Sequence, residues 1–392
     1  MEKIVLVSGA RTPIGSFGGS LKDFSATDLA AITIKEAIAR SRLELCEIDE
    51  AVIGCVATIA EDAYCARVSA IKAGMSVSST ALTVNRLCSS GLQAIVTGAM
   101  EIQSGFANII VAGGTESMTN IPYYLRKARY GYRMGHSELE DGLITVLSDP
   151  FSLVHMGQTA ENIAEKFCIS REEQDEYALN SQFKAAKACD QGLFNEEIVP
   201  VTLKNVKNTE KSFVVDEHIR RDISIEKLTK LHPAFKGDGS VTAGNSSGIN
   251  DGSASVILMK ENDAKKRGIQ PIVRIIDFAV AGVDPSLMGI GPVDAIKKLL
   301  LKTGIKKEDI GLFELNEAFA SQSIACINLL DLDEHRVNVN GGAIALGHPI
   351  GASGCIITIK LMNEMKRRNI QFGISTLCIG GGQGLAVLFE LC

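Results

Sequence analysis

The chain has 392 residues, a length that suggests two to three domains and leaves ample room for a buried interior. Its composition, 46% hydrophobic, 22% charged and 5% aromatic with 37 glycines, fits a wound α/β enzyme and excludes a disordered or fibrous chain. A net charge of −6 argues against general nucleic-acid binding, while eight Lys/Arg against five Asp/Glu between Lys204 and Lys236 leave room for an anionic small molecule.

In chain order, Lys3-Ile-Val-Leu-Val-Ser8 reads as a strand. A helix through Ile34-Lys-Glu-Ala-Ile38 leads to the apolar run Ala51-Val-Ile53. Ala81-Leu-Thr-Val-Asn85 reads as a strand, and Leu92, Ile95, Val96 and Ala99 follow at the i, i+3, i+4, i+7 spacing of a half-buried helix. Val111-Ala-Gly-Gly114 is a further apolar run. From 120 to 248 the texture changes: Tyr123, Tyr124, Tyr130 and Tyr132 mix with Arg126, Arg129 and Arg133, an amphipathic helical stretch runs from Thr159 to Lys187, and polar loops follow. Helix and strand alternation then resumes, with Ile296 to Leu300 helical and Leu312 to Leu315 extended. Ser353-Gly354 opens a helix, and Ile374 to Cys378 is a strand.

Three features recur in the same order. The passage from Ile34 to Ile53 matches that from Ile296 to Leu315, Ser90-Gly91 matches Ser353-Gly354, and Val111-Ala-Gly-Gly114 matches Cys378-Ile-Gly-Gly381. The order suggests an internal duplication. Two α/β halves are expected, 1–119 with 249–271 and 272–392, with 120–248 inserted as a lid or ligand-binding domain.

Ten cysteines show no Cys-x-x-Cys or Cys/His zinc spacing, so reduced cytoplasmic thiols are expected rather than a disulfide framework or a structural metal. No apolar run reaches membrane length, and no membrane partner is expected.

Reactive side chains sit among residues of little bulk. Cys88 lies between a strand and a helix start, where the dipole and free N–H groups favour a thiolate; a small buried core thiol is the competing reading. His348, between Gly347 and Pro349, is poorly placed for a core histidine and suits a proton acceptor for a cysteine, although a loop histidine bonded to backbone remains open. Cys378 ends a strand before three glycines and suits an acid and base; a redox disulfide with Cys88 also stays open. Asn316 stands where a strand gives way to a helix, and helix N-capping alone would explain it. Gly244-Asn-Ser-Ser-Gly248 matches G-x-S-x-G formally, but Asn250-Asp-Gly252 is a poor helix start for a nucleophile elbow. The cluster at Gly380 to Gly384 fails the G-x-G-x-x-G pattern with only eight residues after it, so NAD is not expected.

Together, Arg11-Thr-Pro-Ile-Gly15, Asn85-Arg-Leu-Cys88, Gly113-Gly-Thr-Glu-Ser-Met118, His155-Met-Gly157, Ala243-Gly-Asn245, Gly248-Ile-Asn-Asp-Gly252, Asn316-Glu-Ala-Phe319, Gly341-Gly-Ala through Gly347-His-Pro349 and Cys378-Ile-Gly-Gly-Gly382 resemble the thiolase family over nearly the whole chain. The resemblance implies an α/β, thiolase-like fold of five α-β-α-β-α layers, built from two duplicated halves with an inserted loop domain. It implies an acyltransferase of the acetyl-CoA C-acetyltransferase type, in which Cys88 holds an acyl group and Cys378 removes an α-proton from a second acetyl-CoA. His348 with a water on Asn316 would form one donor set, and the N–H groups of Cys88 and Gly380 the other, with Gly380 required to be small.

The resemblance further implies that Arg220 meets phosphate, that Ala243 and Ser247 border the pantetheine, and that Leu147, His155, Met156, Phe235, Ala318 and Phe319 line the channel. Coenzyme A thioesters are then substrates, no cofactor or metal is implied, and a homodimer or homotetramer is expected. Ser89 and Ser246 replace a usual glycine and alanine, with modest effects expected. Glu61-Asp-Ala-Tyr-Cys-Ala-Arg67 departs from the Gly-Gln-Asn-Pro-Ala-Arg pattern of the biosynthetic branch and stands closer to degradative 3-ketoacyl-CoA thiolases. The alternatives are therefore a degradative thiolase of broader chain length and, in other classes, a non-catalytic acyl-CoA carrier or a thiol redox sensor.

Overall fold

A computed structural model describes residues 2–204 and 210–392; residues 205–209, including Lys207 of the basic segment, lie outside the described residues. Its long strands are β1 (Ile4–Arg11), β2 (Glu50–Gly54), β3 (Thr80–Val84), β4 (Ile109–Ser117), β5 (Asn250–Lys260), β6 (Val273–Gly282), β7 (Ile310–Leu315), β8 (Phe372–Ile379) and β9 (Gln383–Leu391). They form one sheet in the order β7-β8-β9-β6-β1-β5-β4-β2-β3, with Gly15–Ser16 pairing on the start of β5. Read outward from the middle, β1-β5-β4-β2 and β6-β9-β8-β7 are the same arrangement: the outer pair is parallel in each arm and the other pairs antiparallel. The arms pair edge to edge at Val5–Arg274 and Leu6–Val273.

The principal helices are α1 (Ala26–Ser41), α2 (Ser90–Ser104), α3 (Met156–Lys166), α4 (Arg171–Asp190), α5 (Gly291–Thr303), α6 (Ala320–Leu330) and α7 (Ser353–Arg368). In β1 and β4 alternate side chains enter different cores, which is why these strands are apolar throughout. Val5, Val7, Ile109 and Val111 pack under Ile34 and Ile38 of α1, while Ile4, Leu6, Ile110 and Ala112 face α2 and α7. The other face of α2 and α7 meets Leu377 and Ile379 of β8, and α5 closes the far side with Val293, Ile296 and Leu299 against Phe313, Ile374 and Leu388. The five layers are thus α1, one arm, α2 with α7, the other arm, and α5 with α6.

The two central helices begin in mutual contact. A Cβ on Gly91 would lie 2.9 Å from the amide nitrogen of Cys355, and one on Gly354 would lie 2.3 Å from that of Leu92. The Ser-Gly pairs matched in the sequence are therefore matched in space. The third correspondence is displaced. Ile53 pairs with Gly113 and Leu315 with Thr376, so Gly113 answers to Thr376 and not to Gly380. The two glycine pairs do different work: Gly114 sits in β4 beneath the carbonyl of Gly351, which a Cβ would approach to 2.0 Å, whereas Gly381 and Gly382 turn the chain after β8 at φ +80 and +88.

Between Ser117 and Asn250 the chain leaves the sheet. The single helical stretch expected from Thr159 to Lys187 is two helices, broken at Cys168 (φ +53). Ser170 starts the second with a capping box to Glu173, a signal visible in the sequence. Both helices lean on the C-terminal arm: the Ala160 carbonyl of α3 accepts from Ser321 Oγ at 3.0 Å, and from α4 Ser181 Oγ donates to Glu317 at 2.6 Å and Gln182 Nε2 to the Ile344 carbonyl at 3.1 Å.

Gly354→Ala is expected to lower stability by about 2–3 kcal/mol, because the new Cβ meets backbone that must shift. Gly237→Ala, where nothing lies within 4 Å, is expected to change it by less than about 0.5 kcal/mol. Urea denaturation of the two variants checks this, and equal midpoints would remove the close-approach argument.

Candidate active site

Asn85, Arg86 and Leu87 turn the chain from β3 into α2. Leu87 sits at φ +46, a conformation that costs an L-residue about 1–2 kcal/mol. The turn is held because Asn85 Oδ1 accepts Leu87 N–H at 2.9 Å, Ser90 Oγ accepts Arg86 N–H at 2.9 Å, and the Ser90 hydroxyl donates to the Leu87 carbonyl at 2.7 Å. Cys88 follows, a free thiol partly open to a cavity of about 520 Å³. Burial pushes this thiol up, against the N–H groups of Gly380 and of Cys88 itself, which point at the sulfur. The thiolate expected from the helix start is therefore not the resting form, because desolvation outweighs the donors.

His348 belongs to the loop before α7 and is 5% exposed. Its backbone N–H donates to Asn250 Oδ1 at 2.9 Å, and Gly347 (φ +108) leaves room for that amide. The ring lies between two groups that settle its tautomer. The Ser353 hydroxyl donates to the Pro349 carbonyl at 2.8 Å, so at 2.6 Å from His348 Nδ1 the same oxygen must accept, and Nδ1 carries the proton. Nε2, 3.4 Å from the Asn316 amide nitrogen, is then the free acceptor. Burial lowers the imidazole to about 4, so the ring is neutral at physiological pH.

Cys378, near the end of β8, is fully buried in an apolar nest with Met156, Met288, Ala318 and Phe319. Burial, and then the neighbouring Cys88 sulfur, drive it well above an ordinary thiol. Asn316 is not a helix cap: the N-cap of α6 is Phe319, and the Asn316 side chain turns to His348 instead. Its Oδ1 is buried without a protein hydrogen bond among the described residues.

Cys88, His348 and Gly380 share the cavity wall with Leu147, His155, Met156, Arg220, Phe235, Ala243, Ser247, Ala318 and Phe319, while Cys378 and Asn316 lie just behind it. His155 caps α3, its Nδ1 accepting Gly157 N–H at 3.0 Å, and its ring stacks on Phe235 at 4.7 Å. Gly157 makes that stack possible, since a Cβ there would lie 2.3 Å from the Phe235 ring. The expectation that Gly380 must be small is not imposed by the protein. A Cβ at Gly380 would lie 3.4 Å from its nearest neighbours, Leu87 and Met156, in ordinary van der Waals contact.

Sequence reasoning missed several supports. Besides Ser353 and Asn250, Glu116 accepts the N–H groups of Val56, Ala57 and Gly351 at 3.1, 3.0 and 2.9 Å, tying β4 to the His348 loop; burial raises it to about 7. Glu317 accepts from Ser181, Asn338 and the N–H of Ile344, fixing the loop that leads to His348. A buried carboxylate needs several donors, and the glycine- and serine-rich texture around it was the available sign. Ser246 of the G-x-S-x-G match donates to the Thr242 carbonyl at 2.7 Å, and the strand β5 follows instead of a helix.

Comparison with known proteins agrees with this architecture. Residues 4–262 match the family described as thiolase, N-terminal domain, and residues 269–391 match thiolase, C-terminal domain. The chain is 46% identical over 391 residues to the beta-ketothiolase BktB of Cupriavidus necator, covering 99% of both. It is 48% identical over 388 residues to an acetyl-CoA acetyltransferase of Pseudomonas aeruginosa, again covering 99% of both. Among solved structures, the Bacillus anthracis acetyl-CoA acetyltransferase superposes with a TM-score of 0.98 at 48% identity, covering 100% of this chain and 99% of that one. Human mitochondrial 3-ketoacyl-CoA thiolase gives 0.97 at 44% identity with the same coverage. The chain belongs to the thiolase family.

Nitrogen-15 NMR of the histidine rings is expected to show His348 as the Nδ1–H tautomer, titrating near 4 and not near 6.5. Ser353→Ala is expected to move the population toward Nε2–H, since Nδ1–H loses its acceptor. An unchanged spectrum would dispose of the tautomer argument.

Proposed function

We propose that the chain catalyses the reversible Claisen condensation of two acetyl-CoA molecules to acetoacetyl-CoA and CoA through an acyl group on Cys88. What supports this most is that Cys88 and His348 share one cavity while Cys378, buried behind its wall, is near enough to feel the Cys88 sulfur, with the backbone N–H groups of Gly380 and Cys88 at that sulfur.

The Cys88 proton passes to His348 Nε2 as the sulfur attacks the thioester carbonyl. The N–H groups of Cys88 and Gly380 hold the developing oxyanion, a contribution of about 3 kcal/mol for each good donor. The departing CoA sulfur takes the proton of Cys378, which leaves a thiolate there. An ordinary thiolate is too weak a base for a thioester α-carbon, and the apolar nest around Cys378 makes this one stronger. When Cys378 removes the α-proton of the second acetyl-CoA, His348 and a water on Asn316 Oδ1 stabilise the enolate oxygen. The carbanion attacks the Cys88 acyl carbon, and the Cys88 sulfur recovers its proton from His348. Thiolysis is the reverse.

Arg220, the single Lys or Arg in a cavity wall that has no Asp or Glu among the described residues, is assigned to phosphate, with Ala243 and Ser247 along the pantetheine arm. Leu147, His155, Met156, Phe235, Ala318 and Phe319 are assigned to the acyl end. The degradative 3-ketoacyl-CoA reading, which rests on the Glu61 to Arg67 segment, is separated by comparing thiolysis of acetoacetyl-CoA with that of longer 3-ketoacyl-CoAs. A carrier or redox-sensor role would leave Cys88 without a transferable acyl group. We assign the protein to the cytoplasm; no helix among the described residues is long and apolar enough to cross a membrane. Assembly as a homodimer or homotetramer is supported by the sheet edge β3, where Leu82 is exposed, and by the exposed Met100 of α2 and Phe106 just after that helix.

Brief exposure to acetyl-CoA is expected to leave a hydroxylamine-sensitive acetyl adduct, seen by intact mass, that Cys88→Ala abolishes. Cys378→Ala is expected to keep the adduct and lose condensation; an active wild type with no adduct would overturn the scheme. Because His348 is depressed to about 4, its base form is present above that pH and is lost as pH falls through it. The rate of adduct formation is therefore expected to stay flat from about pH 8 down to about 5, and a break near 6.5 would contradict it.

A further inference from the structure

Arg11, Glu197, Asp216 and Glu217 take no part in the chemistry above, yet they form a charged knot beside the cavity mouth. Arg11, the last residue of β1, is wholly buried. Its guanidinium donates to both oxygens of Asp216 at 2.8 and 3.0 Å and to Glu197 at 3.0 Å, and lies 5.3 Å from the centre of the Phe194 ring. Packed hydrophobic residues often serve stability as well as a buried ion cluster does, so what this knot supplies is a fixed position.

The chain that it fixes runs past the cavity. Asp216 Oδ1 also accepts Ile14 N–H at 2.9 Å, and Glu217 N–H donates back to the Ile14 carbonyl at 2.9 Å. The Glu217 carboxylate accepts Ser16 N–H at 2.8 Å, Ser20 N–H at 3.2 Å and the Ser20 hydroxyl at 2.6 Å. At the far end, Arg220 N–H donates to Gln182 Oε1 of α4 at 2.8 Å. Between these tethers His218 and Arg220 line the cavity together with Ser16 and Phe17 of the tethered loop. The Arg220 side chain is exposed and makes no hydrogen bond among the described residues. His218 is neutral because burial, and then the Arg220 charge, lower it to about 4.

A long cation on a free loop must be ordered each time it meets an anion, and that entropy is subtracted from affinity. A segment tacked down at both ends has already lost it. We infer that Asp216, clamped by Arg11 and continued by Glu217, is a positioning residue that holds His218 and Arg220 ready for the phosphate-bearing end of a CoA thioester, a role that rests on the substrate class proposed above. The pantetheine arm and the acyl group carry no such charge, so the knot acts on the nucleotide end and leaves the reaction at Cys88 alone.

The test compares acetoacetyl-CoA cleaved by CoA with acetoacetyl-pantetheine cleaved by pantetheine, in wild type and Asp216→Asn. The asparagine retains the shape and loses the charge that clamps Arg11. The expected result is a KM for the CoA thioester raised about tenfold at nearly unchanged kcat, with both constants for the pantetheine thioester within about twofold of wild type. Equal losses on both substrates, or none on either, would overturn the positioning role while wild-type activity keeps the functional reading intact. Wild type that cleaves neither thioester removes both. If Asp216→Asn fails to fold, Glu217→Gln, on an exposed side chain, carries the same expectation in a smaller shift.

Discussion

Two helices that begin against each other's backbone set the geometry of everything reactive in this molecule. Gly91 and Gly354 let the starts of α2 and α7 approach so closely that a methyl group on either would enter the other's main chain. Cys88 lies just before one start and His348 just before the other, so the same contact that packs the central layer brings the thiol and the imidazole to one cavity. The β8 strand, packed on the same layer through Leu377 and Ile379, delivers Cys378 between those residues and Gly380 directly after it. Two thiols and an imidazole are therefore positioned by the core, which is what the chemistry proposed for them requires.

The electrostatics follow from the same burial. Every titratable group at the centre is pushed toward neutrality: both thiols upward, the imidazole downward, and Glu116 up to about 7. With both thiols protonated and the imidazole neutral at rest, those groups do not hold a neutral thioester by ion pairing. The site offers dipoles, and those become effective only when charge develops on the substrate oxygen or on a sulfur. The Arg220 guanidinium, the one on the wall among the described residues, is presented by the tethered 216–220 segment.

Much of this was legible in the sequence because glycine and reactive side chains mark it in one dimension. The strand carrying Cys378, the turn at Cys88 and the glycine-flanked His348 stand where expected, and the nine residues from Leu147 to Phe319 that only the family resemblance singled out line one wall. What was not legible depends on partners far away in the chain. Asn316 reads as a helix cap until the structure shows the cap to be Phe319 and its own amide facing His348. Ser353 reads as a helix opener, and only the Pro349 carbonyl beside it fixes the imidazole tautomer. The glycines at 113 and 380 look equivalent in letters, yet strand register puts Thr376 opposite that place. Helix-start preference, likewise, predicted a thiolate at Cys88, because a local rule does not contain the desolvation imposed by the rest of the fold.

The duplication also explains why the two halves carry unlike chemistry. Each arm ends its corresponding strand beside the same central helices, and with Gly113 answering to Thr376 the places two and three residues further on can be compared directly. In the N-terminal arm Thr115 answers to Cys378 and its hydroxyl donates to the Ala26 carbonyl at 2.7 Å, while the next residue, Glu116, holds the N–H groups of Val56, Ala57 and Gly351. In the C-terminal arm the same two places hold Cys378 and Ile379, so no carboxylate stands there and the thiol lies in an apolar nest. The insertion breaks the symmetry further by reaching from the first arm to lean on the second through Ser181 and Gln182. One half thus supplies Cys88 and the scaffold of its turn, the other His348, Asn316 and Cys378, and neither forms the cavity wall and its backing alone.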